Sequence, residues 1–131
     1  MSDVSARLRS LVTERAGERC EYCGLSQAGQ EARFHIDHVH PRAAGGESVL
    51  KNLALACVSC SLRKGARVSA PDPDDGANVP LFNPRIDRWQ EHFAWQGALA
   101  MARTPTGRAT LAALDLNRPL ILAIRREEML L

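Results

Sequence analysis

The chain has 131 residues, of which 45% are hydrophobic and 24% charged, and it carries a net charge of +2. A balance that mild does not by itself argue for nucleic-acid binding. No stretch reaches the ~18 apolar residues of a membrane helix, and the ordinary composition points to a soluble globular protein. The length suits one domain, or a core module with an extension. Aromatic residues make up only 5%, so the core must come mainly from Leu, Ala, Val and Ile. A short, loop-rich chain of this kind benefits from a metal staple.

Residues 4–16 read as an amphipathic helix. Val4, Leu8, Leu11 and Val12 share a face, Ser2 or Asp3 could cap the start, and Gly17 is a stop. The first residues show no apolar core of a signal peptide, so the expected compartment is the cytoplasm. In a reducing compartment, paired Cys-x-x-Cys motifs read as metal ligands rather than disulfides.

All four cysteines lie in two such pairs, Cys20/Cys23 and Cys57/Cys60. One Cys-x-x-Cys turn supplies two thiolates at a tetrahedral angle, and Gly24 after the second Cys eases the turn. Two turns close the shell of a zinc ion with no position left open, so the expected site is structural. A redox pair would normally come as one Cys-x-x-Cys beside a βαβ unit, which this pattern lacks.

Between the pairs, residues 32–39 read as a strand ended by Pro41. Residues 41–48, with Gly45-Gly46, read as a loop. Residues 53–56 form a second strand, and residues 58–66 suit a helix. Residues 68–80 are rich in Pro, Asp and Gly and read as an exposed linker or excursion. Asn83-Pro84-Arg85 opens a short helix to His92. Residues 93–101 pair as two strands turning near Gly97. Thr104 and Pro105 mark a helix start as N-cap and first helical residue, and that helix runs to Leu114 or Leu116. After the break at Asn117-Arg118, a last helix starts at Pro119 and is expected to bury Leu120, Ile121, Ile124 and Leu130. Trp89, Phe93 and Trp95 read as a core that docks the extension.

The stretch His35-Ile36-Asp37-His38-Val39-His40-Pro41-Arg42 holds three of the four histidines. An imidazole near its ordinary pKa can take a proton from water, and a carboxylate beside it can hold a divalent cation. An isolated Asp-His pair is more often a surface pair. Adjacent strand residues also face opposite sides, so Asp37 and His38 converge only if the strand ends or bends there.

This stretch, followed by Gly45-Gly46 and then by residues 52–65 (Asn-Leu-Ala-Leu-Ala-Cys-Val-Ser-Cys-Ser-Leu-Arg-Lys-Gly), resembles the HNH endonucleases. The resemblance is to the zinc-stapled subgroup with two Cys-x-x-Cys pairs. It implies an α+β chain with a ββα-metal core that hydrolyses phosphodiester bonds of DNA, using a histidine base and one divalent cation, Mg²⁺ or Mn²⁺. By the same resemblance His38 is the base, Asp37 a cation ligand, and Asn52 the brace of the loop between the strands. Arg42, Arg63 and Lys64 would meet phosphates. Arg67 and Arg85 join them as cations in or just after the site.

One position departs from the family pattern. Ser61 follows the last Cys where the family usually has an Asn or His cation ligand. Either Ser61 serves, or another residue replaces it, His92 first among candidates. His35 and His40 could each contact the metal, a phosphate or the scissile region, but are read first as structural or solvent-facing. The departure also keeps open a zinc-stapled nucleic-acid-binding module without cleavage, and more distantly a protein-interaction domain. The expected organisation is a core over 1–67 with its N-terminal helix, a linker over 68–80, and a mostly helical extension over 81–131. Sequence specificity, strand preference and oligomeric state are not fixed by these residues.

Overall fold

The computed structural model describes residues 4–130. Helix α1, Ala6–Arg15, starts at Ser5, whose hydroxyl accepts from the Leu8 amide at 3.1 Å. The two earlier cap candidates, Ser2 and Asp3, lie outside the described residues. Val12 is fully buried. Arg15 donates to the carbonyls of Leu50 and Leu53, and Arg9 to that of Phe34. The helix is thereby tied to both strands of the central hairpin.

That hairpin pairs β1, His35–His38, with β2, Leu53–Ala56, in antiparallel register: His35 opposite Ala56, Asp37 opposite Ala54, His38 opposite Leu53. All four β2 residues are buried. Helix α2, Val58–Lys64, follows, with Cys57 as N-cap. The order strand, loop, strand, helix is the one expected, and it packs α1 and α2 against a two-stranded sheet as an α+β unit.

The segment read as an exposed linker or excursion is an excursion, a mostly exposed hairpin of β3, Ser69–Pro71, and β4, Asn78–Pro80. Pro73 and Gly76 serve the tip, where the Gly76 amide closes onto the Asp72 carbonyl at 2.7 Å. Asp72 is buried and bound bidentately by Arg108, at 2.9 and 2.8 Å. The short helix expected from Asn83 is a hydrogen-bonded turn over 83–87 followed by α3, Trp89–His92.

Strands β5, Phe93–Gln96, and β6, Leu99–Ala102, form the expected pair around Gly97. Helix α4, Pro105–Ala113, begins as expected, with Thr104 accepting from the Gly107 amide at 3.0 Å. Helix α5, Pro119–Glu128, buries Ile121 and Arg125. Leu120 and Leu130, expected inside, are 69% and 86% exposed. The residues facing inward are 121 and 125, one helical turn apart, which leaves 120 on the opposite side. One hydrophobic cluster runs from Val12 through the hairpin to Phe82, Phe93, Leu114 and Ile121. Phe93 is buried in this cluster and Trp89 packs against it, donating to the Tyr22 carbonyl, whereas Trp95, expected in the core, is 52% exposed and stacks on Trp89 with centroids 4.8 Å apart. Among the described residues no helix is long and apolar enough to cross a membrane.

Candidate zinc staple and active-site groove

The four cysteines are buried, free of disulfides, and bring their sulfurs within 4.8 Å of one another. Cys23 Sγ and Cys57 Sγ are 3.7 Å apart. A tetrahedron with Zn–S bonds of ~2.3 Å has edges of about 3.8 Å, so the cluster has the dimensions of a zinc shell. Each knuckle aims an amide at its first sulfur, Cys23 N at Cys20 Sγ and Cys60 N at Cys57 Sγ, at 3.5 and 3.4 Å. Gly24, at φ +81°, makes the turn expected after the second Cys. Hydrogen bonds from Cys20, Cys23 and Cys60 hold the Cys57 thiol far below its ordinary value. The residues present therefore fit a structural zinc ion.

A second ring around the sulfurs comes from the far end of the chain. Arg118 Nη2 lies 3.5 Å from Cys57 Sγ and 3.9 Å from Cys23 Sγ. Burial opposes the Arg118 charge, but the thiolates of Cys23, Cys60 and Cys57 outweigh it and raise the guanidinium above its ordinary value. Arg125 is buried and donates to the carbonyls of Cys23, Leu116 and Ala98 at 2.8–3.0 Å. No Cys or His spacing marks either arginine. The only hint at sequence level is an Arg before the Pro that opens α5.

On the other side of the hairpin lies a groove of about 440 Å³, lined among others by Arg9, His35, Asp37, His38, Arg42 and Ser61. Strand β1 and helix α2 meet here in two rungs. His35 Nδ1 is 2.8 Å from Ser61 Oγ, and Lys64 Nζ is 3.2 Å from Asp37 Oδ2. Ser61 and Lys64 share a helix face at i, i+3, while His35 and Asp37 share a strand face at i, i+2.

Asp37 is buried, with a side chain only 8% exposed. Tyr22 donates its hydroxyl to Oδ2 at 3.0 Å. Burial pushes the Asp37 carboxyl above the usual range, against the pull of Lys64 and the Tyr22 hydrogen bond. His38, the next residue, ends β1 and places Nε2 2.8 Å from Ser48 Oγ in the loop. The strand stops at this residue, and both residues line the groove.

Asn52 locks that loop. Its Oδ1 accepts from the His40 amide at 2.9 Å, and its Nδ2 donates to the carbonyls of His40 and Glu47 at 3.0 and 2.9 Å. His40 is exposed, its ring 3.0 Å from the Ala44 carbonyl.

The other residues singled out from sequence divide. Arg42, Arg63 and Arg67 are exposed, and Arg42 lines the groove. Arg63 faces Asp115 at 3.7 Å, and Arg67 donates to the Arg63 carbonyl. Lys64, expected at a phosphate, is 2% exposed, its ammonium held by Asp37 and the His38 carbonyl. It faces inward because it lies one turn beyond Ser61 on the strand side of α2. Arg85, likewise expected at a phosphate, pairs with Glu21 and is 13% exposed. Glu21 in turn accepts from the Leu55 amide at 2.7 Å, so Arg85 pins the first knuckle to β2. The His92 ring lies against Phe82, with Nδ1 2.6 Å from Thr104 Oγ1. It is not among the residues lining the groove. Arg9 is the cation that sequence reasoning missed, because a helix residue's polar face carries no sign of what packs nearby.

The groove offers nitrogen and oxygen donors to a cation. Tyr22 and Lys64 both converge on Asp37 Oδ2, and Oδ1 keeps only a 3.5 Å contact with Lys64. A carboxylate oxygen has two lone pairs, so Oδ1 retains capacity for a divalent ion, and the residues fit one.

Residues 20–67 match the family model described as HNH endonuclease. No curated protein and no solved structure matches the chain. The match spans both cysteine pairs, the hairpin and α2, the elements that build the staple and the groove, so residues 20–67 resemble an HNH domain whose four cysteines cluster as a metal site would.

Proposed function

We propose that the chain is a metal-dependent DNA endonuclease whose general base is His38. The observation that carries this reading is that His38 lines the groove, beside a buried carboxylate and next to a loop locked by Asn52. With its Nε2 set 2.8 Å from Ser48 Oγ, the His38 imidazole is the group that would take a proton from water. A divalent cation, Mg²⁺ or Mn²⁺, held at Asp37 would stabilise the charge developing on the leaving oxygen. Asn52 fixes the loop and with it the base. Arg9 and Arg42, which line the groove, and the exposed Arg63 and Arg67 would meet flanking phosphates, which position the strand without reading its sequence.

Nicking of supercoiled plasmid with Mg²⁺, Mn²⁺ or EDTA tests the proposal. The wild type should nick with metal and stop with EDTA. His38→Ala should lose about 100-fold or more of the rate while keeping its affinity for DNA. Absence of cleavage with every metal sinks the enzyme reading.

One observation favours a second reading, a zinc-stapled binding module without cleavage. The Asp37 carboxylate already has a buried ammonium and a phenol as partners. That module would bind DNA with a steep loss of affinity as salt rises and show no EDTA-sensitive nicking.

A further inference from the structure

We infer that His35, together with Asp37, forms the divalent-cation site of the groove, and that Ser61 orients His35 rather than binding the cation itself. The inference rests on the nuclease reading for its purpose, and on the following geometry for its residues.

His35 and Asp37 are separated by one residue on β1 and so stand on the same strand face, with Cα atoms about 6.7 Å apart along the strand. The residues opposite them in register are Ala56 and Ala54. Neither alanine carries anything beyond Cβ into the space between strand and helix. Both His35 and Asp37 line the groove.

Ser61 Oγ lies 2.8 Å from His35 Nδ1. If Nδ1–H donates to the hydroxyl, the lone pair sits on Nε2. A histidine ligand is ordinarily fixed in this way, with the second ring nitrogen donating to a neighbouring oxygen that sets the tautomer and the ring orientation. On the carboxylate, Tyr22 and Lys64 occupy Oδ2, and Oδ1 keeps its marginal contact at 3.5 Å. The two available donors are therefore His35 Nε2 and Asp37 Oδ1.

Other histidines serve less well. His38 belongs to the opposite strand face and bonds Ser48. His40 is exposed and turned to the Ala44 carbonyl. His92 bonds Thr104 and packs on Phe82.

An imidazole beside a carboxylate favours first-row transition ions over Mg²⁺, because Mg²⁺ prefers an all-oxygen octahedron. The site should therefore take Mn²⁺ more tightly than Mg²⁺.

Mn²⁺ binding to the zinc-loaded full chain, read by electron paramagnetic resonance, tests this directly, since zinc is silent. Wild type should bind one Mn²⁺ and show nitrogen modulation from an imidazole. His35→Ala and His35→Gln should lose the modulation and bind about 10-fold more weakly or worse. Asp37→Asn should also weaken binding. His40→Ala should keep the full signature. Zinc content and the thermal transition of each variant establish that it is folded. Persistence of the nitrogen modulation in both folded His35 variants overturns the proposal, as does a zinc-loaded wild type that binds no Mn²⁺.

Plasmid nicking on the same preparations separates the two readings. Mn²⁺ bound through His35 in a protein that never cleaves keeps the site and sinks the nuclease. Nicking lost in His38→Ala, with Mn²⁺ and its nitrogen modulation retained in the His35 variants, keeps the nuclease and sinks the site.

Discussion

Lys64 Nζ lies 3.2 Å from Asp37 Oδ2 and 3.3 Å from the carbonyl oxygen of His38. One buried ammonium thus grips both residues on which the proposed chemistry depends. Removing one partner of a buried pair strands the other charge, which typically costs about 3–5 kcal/mol. Lys64→Met should destabilise the zinc-loaded protein by that order in urea titrations at neutral pH, and Asp37→Asn in the same chain should recover part of the loss. The pH dependence has a definite sign. Burial already raises the Asp37 carboxyl and Lys64 lowers it, so the variant's carboxyl moves higher. A group whose folded pKa is raised loses stability as the pH rises through it. The deficit of Lys64→Met should therefore shrink as the pH falls below the Asp37 titration. A deficit that grows on acidification would contradict the pairing.

Gly46 should tolerate no side chain. A Cβ there would lie 1.8 Å from the His40 carbonyl oxygen and 3.0 Å from Asn52 Nδ2. Its backbone needs no unusual φ; the constraint is the close approach of two chain segments, one of which is rigid backbone. Gly46→Ala should cost about 1–3 kcal/mol through forced backbone movement. Because the strained contact is with the loop that Asn52 braces, amide exchange at His40 should accelerate in the variant. Unchanged protection there would show that the loop absorbs the methyl elsewhere.

The parts of this fold that were legible in the sequence are those whose cause is local. A Cys-x-x-Cys turn contains its own hydrogen bonds, and Thr104-Pro105 contains its own cap. Lys64 shows where that reading ends. Its charge suggests a phosphate, but its direction follows from which face of α2 meets β1. Arg85 was misplaced for the same reason, since its partner Glu21 lies 64 residues away. The Pro-Asp-Gly segment looked like a linker because only Arg108, 36 residues on, gives Asp72 a reason to be buried. His35 was read first as structural because nothing in its neighbours in sequence reveals Ser61, 26 residues on, at its ring.

Arg118 should act on the zinc staple although it is not a ligand. A tetrathiolate zinc site carries a net charge of about −2, and a guanidinium 3.5 Å from Cys57 Sγ offsets part of it. Arg118→Gln should weaken zinc binding by about 10–100-fold, the range seen when outer partners of metal ligands are removed. Competition with a chromophoric chelator measures the change. Stripping the zinc entirely should abolish cooperative unfolding, because the cluster joins the first knuckle, β2 and α2 through four buried sulfurs. Equal zinc affinity in Arg118→Gln would mean that the arginine only packs against the sulfurs.

Tyr22 gives an optical probe of the same neighbourhood, because it is the only tyrosine in the chain. It is 1% exposed and donates to Asp37. Burial first, and the Asp37 charge second, raise its phenol well above the ordinary value of 10.0. Folding therefore favours the neutral phenol. The stability it confers is complete below the unfolded pKa and is lost as the pH rises toward the folded one. In an alkaline titration of the zinc-loaded protein, tyrosinate absorbance should be absent near pH 10 and appear together with unfolding. Asp37→Asn removes one of the two main causes and leaves burial in place, so tyrosinate should appear earlier than in the wild type but still later than in a denatured chain. Ordinary titration near pH 10 in the folded wild type would place the phenol in solvent and break the link from the first knuckle to Asp37.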